Sequence, residues 1–193
     1  MKKSQLILLA GIALVGITFA LWPAKSSQKK LTTVKTNDAM KTQIVQKLYE
    51  ALSTKNHVAM SALYHPQASF TDGIFNVRGK KIEGMWHFMG TIAQDFSLKV
   101  NSIEEKGDHF EVQWESFYKL GENKIHNVLQ TKIRFQDNQI IDQQDSFSFY
   151  RIASQTGGIK GKLLGWLPAA KESIKGRMLA AFDKFLVQFP AYQ

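Results

Sequence analysis

The stretch "HFEVQWESFYKLGENKIHNVLQTKIRF", residues 109–135, decides the fold class. Its apolar residues recur with period two. Phe110, Val112, Trp114 and Tyr118 share one side of a first strand, and Ile125, Asn127, Leu129, Thr131 and Ile133 share one side of a second. Gly121-Glu122-Asn123 between them reads as a hairpin turn. The pattern continues outward in both directions. Upstream, Lys106-Gly107-Asp108 closes a strand that begins near Asp95. Downstream, Gln136-Asp137-Asn138 opens a strand on which Ile141, Asp145, Phe147 and Phe149 share a face. Four long strands joined by tight turns make an antiparallel meander, and Asn127 and Asp145 are the polar members of otherwise apolar inward faces.

Ahead of the meander the period lengthens to that of a helix. Met40, Ile44, Leu48 and Leu52 follow a cap at Asn37 and predict a helix ending near Lys55. Asn56 caps a short second helix carrying Val58, Met60 and Leu63, which stops before Pro66. A strand over Ala68–Thr71 follows, then a helix from Gly79 to Ile92 with Ile82, Met85, Trp86 and Met89 on one side. On the strand, Ala68, Phe70 and Asp72 alternate, so a buried Phe70 turns Asp72 toward the same interior. This order predicts an α+β domain over residues 37–152, in which N-terminal helices cover one face of a curved antiparallel sheet.

The chain of 193 residues is 44% hydrophobic, with 13 Phe and 4 Trp, which suffices for a substantial core. The absence of cysteine excludes disulfides, thiolate catalysis and Cys-based metal sites. The net charge of +9 sits at the ends: residues 1–30 carry five Lys and no acid, and residues 151–193 carry seven basic groups against two acids. The middle is nearly neutral, which fits a membrane-proximal protein and argues against nucleic acid as a partner. The run Leu6–Trp22 has no charge, so residues 1–22 read as a transmembrane anchor or signal segment. An uncleaved anchor is favoured, in the inner membrane with the domain on the periplasmic or extracytoplasmic side.

Residues 23–36 read as a tether. In residues 153–193 a Gly-rich link precedes a stripe of Ala170, Ile174, Met178, Phe182, Phe185 and Phe189, a C-terminal amphipathic helix that docks on the core. "GGIKGKLLG", residues 157–165, fails as a phosphate loop because three residues separate Gly157 from Gly161 and Leu163 replaces the needed hydroxyl. The five His show no ligand spacing, so neither a metal nor another cofactor is expected.

Together with this order of elements, "QKLYEALSTKNHVAMSALYHPQASFTDGIF", residues 46–75, resembles the nuclear transport factor 2-like superfamily, in the branch with SnoaL-like domains and ketosteroid isomerase. The likeness covers roughly residues 38–150. It implies a cone with an apolar cavity and places Asp72 where the isomerase keeps its general base. The isomerase's two oxyanion donors, a Tyr on helix one and a protonated Asp on a late strand, fall on Leu48 and Thr131 here, while Tyr49 is one residue off and faces another direction. The resemblance also implies a possible homodimer through the open sheet face.

Three functions stay open. The first is binding of a small apolar molecule, with Asp72, Tyr118, Asn127 and Asp145 as polar contacts and Trp86 and Trp114 as walls. The second is an isomerase or hydrolase with Asp72 as catalytic base. The third is a non-catalytic envelope scaffold, as in membrane-tethered members of this fold in type IV secretion machinery. Plainer readings stand beside these: Asp72 capping the turn at Gly73, Asp145 satisfying its neighbours, and the two Trp serving the core.

Overall fold

The computed structural model describes residues 33–158, 165 and 167–193. The segment read as a membrane anchor, most of the tether and part of the Gly-rich link lie outside the described residues. Among the described residues no helix is long and apolar enough to cross a membrane.

The elements are β1 (Thr33–Lys35), α1 (Ala39–Ser53), α2 (His57–Ser61), β2 (Tyr64–Thr71), β3 (Asn76–Arg78), α3 (Lys80–Ile92), β4 (Gln94–Lys106), β5 (His109–Leu120), β6 (Asn123–Gln136), β7 (Gln139–Phe147), α4 (Phe149–Thr156), α5 (Pro168–Gln188) and a closing 3-10 turn (Pro190–Tyr192). One curved, open sheet carries the strands in the order β1-β4-β5-β6-β7-β2-β3. The meander β4 to β7 is as the period-two pattern predicts, with turns at Gly107 and Gly121 in the left-handed region that favours glycine. The sheet is mixed rather than wholly antiparallel, because β1 runs parallel to β4 and β2 parallel to β7.

Local chemistry explains where the elements differ from expectation. Asp38, not Asn37, caps α1, its carboxylate accepting from the Lys41 amide at 2.9 Å, and α1 ends at Ser53 rather than near Lys55. Asn56 caps α2 as expected, accepting from the Ala59 amide at 3.0 Å. The strand expected over Ala68–Thr71 starts four residues earlier, at Tyr64. It tolerates Pro66 because its register against β7 shifts between Tyr64 and Ser69. Thr33–Lys35, read as tether, adds an edge strand.

On β7 an extra residue between the pairs Arg134–Asp142 and Phe135–Ile140 makes a bulge, and it resets the parity. Ile140 is therefore buried, and Ile141, expected on the inward face, is only half-buried. Phe149, expected on the strand, begins α4, a helix the alternating pattern concealed.

The helices fill the concave side. Val45, Leu48 and Tyr49 of α1, Met60 of α2, and Ile82, Met85 and Phe88 of α3 are buried against Phe70, Ile103, Phe110, Val112 and Ile133. Helix α5 docks as its stripe predicts: Phe182 stacks edge-on to Phe75 at 5.4 Å and lies 5.5 Å from Phe88, and Phe185 and Leu186 are buried beside them. The final turn folds back onto α3, where the Tyr192 hydroxyl meets His87 Nδ1 at 3.1 Å and the Tyr192 ring covers Gly84.

A side chain at position 84 has no room, since a Cβ there would lie 2.8 Å from that of Tyr192. Gly84→Ala is predicted to lower stability by about 1–3 kcal/mol in chemical denaturation. In a chain ending at Gln188, the same substitution is expected to cost little.

Candidate functional site

A cavity of about 430 Å³ lies between the concave face of the sheet, α3, α4 and α5. Phe70, Trp86, Trp114, Leu129, Phe147 and Met178 are among its apolar walls, and the size is that of a small-molecule site. Each of the six residues singled out from the sequence lines it: Asp72, Trp86, Trp114, Tyr118, Asn127 and Asp145. Strand pairing brings them together. Ser116 of β5 sits opposite Asn127 of β6, Trp114 opposite Leu129, Leu129 opposite Phe147, and Thr131 opposite Asp145 of β7.

Asp145 is the centre of a buried polar relay. Its Oδ1 accepts from the Thr131 hydroxyl at 2.8 Å and from Gln143 Nε2 at 3.0 Å. Behind Thr131, Trp114 donates its indole N–H to the Thr131 oxygen at 2.8 Å. Behind Gln143, Tyr64 donates to Gln143 Oε1 at 2.5 Å and itself accepts from the Trp86 indole at 3.2 Å. The residue is 8% exposed, and burial pushes its carboxyl up to about 7. The bonds from Gln143 and Thr131 oppose that rise, and the charge on Asp72 adds to it. Burial likewise raises the Tyr64 phenol far above its ordinary range.

Asp72 is held differently. It sits at the turn after β2, and its Oδ1 accepts from the amides of Ile74 and Phe75, both at 2.6 Å. This is the turn-capping arrangement the Asp-Gly pair suggests. Burial raises the carboxyl above its usual value, while the two amides and the Lys175 ammonium hold it down. Phe149 packs against Gly73 where a Cβ would stand, which locks α4 onto the same turn. Tyr118 lines the cavity with its hydroxyl pushed up to about 12 by burial. Asn127 is 5% exposed, and its Oδ1 has no hydrogen-bond partner.

Several residues behind the site escaped the sequence reading. Tyr49 does not face elsewhere: it is buried, 5.4 Å edge-on from Trp114, and its hydroxyl lies by Thr131 without a well-formed hydrogen bond. Its phenol is raised well above its usual range, first by burial and then by the charge at Asp145. Tyr64 and Gln143 complete the relay. Gln143 precedes Asp145 by two residues, the one signal that would have placed it on the inward face. Ile152 and Thr156 of α4, with Ile174, Arg177 and Met178 of α5, line the cavity from the C-terminal segment. Away from the cavity, His57 and His87 stack at 4.1 Å between α2 and α3, a pairing no sequence spacing announces. Among the described residues no cluster of His, Asp and Glu is arranged to hold a metal ion.

No protein-family model and no curated protein matches the chain. Solved structures do. A hypothetical protein of Catenulispora acidiphila with a ketosteroid isomerase-like fold, solved with trimethylamine, superposes with a TM-score of 0.56 at 18% identity, over 60% of this chain and 92% of that one. An NTF2-like protein of unknown function from Burkholderia pseudomallei gives 0.55 at 16% identity, over 61% and 98%. A Shewanella denitrificans protein assigned as a SnoaL-like polyketide cyclase gives 0.55 at 15% identity, over 62% and 98%. The curved sheet with its covering helices and these superpositions agree on one architecture: the chain has the nuclear transport factor 2-like fold.

Proposed function

We propose that this domain binds a small, largely apolar molecule in its cone, with Asp145, Asn127, Tyr118 and Asp72 as the polar contacts. The observation that carries this reading is the cavity of about 430 Å³, apolar except for a few converging polar side chains. The uncharged run Leu6–Trp22 supports tethering the domain to the inner membrane on its extracytoplasmic side. The scaffold reading ranks lower. Among the described residues the exposed large apolar side chains, Val34, Met40, Val58, Val128, Tyr150, Val187 and Phe189, are spread over six elements and the cap of α5.

A second reading makes the domain an isomerase or hydrolase. Asp145 supports it more than Asp72, since a carboxyl titrating near neutral pH suits a general acid or base, whereas Asp72 has one oxygen fully engaged by the turn. Turnover of small epoxides or unsaturated ketones that falls roughly 100-fold in Asp145→Asn and survives in Asp72→Asn supports this assignment. Turnover unaffected by Asp145→Asn defeats it.

Trp86 and Trp114 both line the cavity, so a ligand reports on itself. Bromonaphthalene is expected to quench tryptophan emission saturably at one equivalent, and Trp86→Phe or Trp114→Phe to remove a distinct part of the signal. Quenching that never saturates overturns the binding reading.

Asp145 also imposes a pH dependence. Its folded value of about 7 stands above the ordinary 3.8, so the folded state holds the extra proton between these limits. Stability from this group is full below about pH 4 and is lost as pH rises through about 7, a change on the order of 4 kcal/mol. Asp145→Asn is therefore expected to be the more stable protein at pH 8 and to lose that advantage near pH 4, as read from denaturant midpoints.

A further inference from the structure

We propose that the ligand is a lipophilic organic cation, a protonated amine on an apolar body, seated with its ammonium group among Asp145, Asn127 and Asp72. The proposal rests on the binding reading above and adds the chemical class. Open acceptors on the cavity wall favour such a ligand. Several donors beside them are already engaged: Trp86 donates to Tyr64, Trp114 to Thr131, and Thr131 and Gln143 to Asp145 Oδ1, while the Lys55 ammonium binds the Ala93 carbonyl; the Asn127 amide and the Arg177 guanidinium are the lining donors left over.

Three acceptors stand open. The second oxygen of Asp145 and that of Asp72 have no hydrogen bond among the described residues, and Asn127 Oδ1 is buried and unpartnered. Buried acceptors without donors are costly, and a ligand that brings N–H groups removes that cost. Tyr118 and Ser116 hydroxyls serve as either partner.

Charge and wall composition point the same way. Two carboxyl groups share one apolar cavity, close enough for the charge of Asp72 to act on Asp145. Tyr49 and Tyr64, which face Asp145 from α1 and β2, are held neutral by burial and supply no compensating cation. Of the basic groups, Arg177 and Lys55 line the cavity, Arg177 exposed and Lys55 half-buried and engaged with Ala93, and half-buried Lys175 acts on Asp72. Phe70, Trp86, Trp114, Tyr118 and Phe147 bring aromatic rings to the wall, side chains that favour a cation over a neutral group. A cavity of this volume is far larger than a bare ion needs, which selects an organic cation over a metal.

The test compares naphthylmethylammonium with naphthylmethanol, of nearly the same shape and differing in charge, by titration calorimetry on the full chain. At pH 8 the ammonium probe is expected to bind roughly tenfold tighter than the alcohol. That preference shrinks at pH 5.5, where Asp145 is protonated while the amine stays charged. In Asp145→Asn the preference disappears, and residual alcohol binding shows that the cavity is formed. Should the variant fail to fold, the pH comparison on the wild-type chain decides alone. Alcohol binding equal to or tighter than ammonium binding at pH 8, or a preference that grows as pH falls, overturns the cation and leaves cavity binding standing. Binding of neither probe overturns both.

Discussion

A carboxyl group set into an apolar wall is the constraint around which this molecule is arranged. Among the described residues Asp145 has no salt-bridge partner, and it is almost wholly buried, so what keeps it tolerable there is neutral and hydrogen-bonded. The relay supplies this through residues from α3 and four strands: Trp86, Tyr64 on β2, Gln143 on β7, Thr131 on β6 and Trp114 on β5. Each link depends on strand register, since a slip of one residue between β6 and β7 would turn Thr131 away from Asp145. The polar network therefore specifies the same pairing that the apolar faces specify. It also fixes Trp86 and Trp114 as walls, because each indole is anchored at its nitrogen.

The meander was legible because β5 and β6 alternate without interruption; the inward sets Phe110 to Tyr118 and Ile125 to Ile133 are the buried or half-buried ones. The same rule brought Asn127 and Asp145 into one cavity with Trp114 and Tyr118, since side chains on one concave face converge. It failed where the backbone breaks its own period. The bulge on β7 moved Ile141 off the face and Ile140 onto it, and Ser148 turned the strand into α4 through a cap too weak to read, its hydroxyl accepting from the Arg151 amide at 3.3 Å.

Tyr49 was misplaced for a different reason. Direction around a helix was inferred from adjacency to Leu48, but α1 is enclosed on a wide arc, and Thr42, Val45, Leu48 and Tyr49 are all buried. Contacts between separate helices, such as the stack of His57 on His87, leave no local pattern at all. They arise from how α2 and α3 pack, which is settled only after the chain has folded.

The two acids in the cone show how position divides similar side chains into different tasks. Asp72 lies at a turn, and the turn supplies two backbone donors that favour its ionised form even where burial opposes it. Asp145 lies mid-sheet, where backbone donors are already used in the ladder and only side chains remain to bond it; two neutral donors do not offset its loss of water, so its proton is held near neutrality. Asp72 is thus anchored to the turn it shares with Gly73 and Phe149, whereas Asp145 is held by side chains alone. Helices α4 and α5 sharpen the contrast. They bring the apolar side chains Ile152, Ile174 and Met178 to the wall of the cavity that Asp145 also lines, while Lys175 of α5 adds a cation that holds down the Asp72 carboxyl.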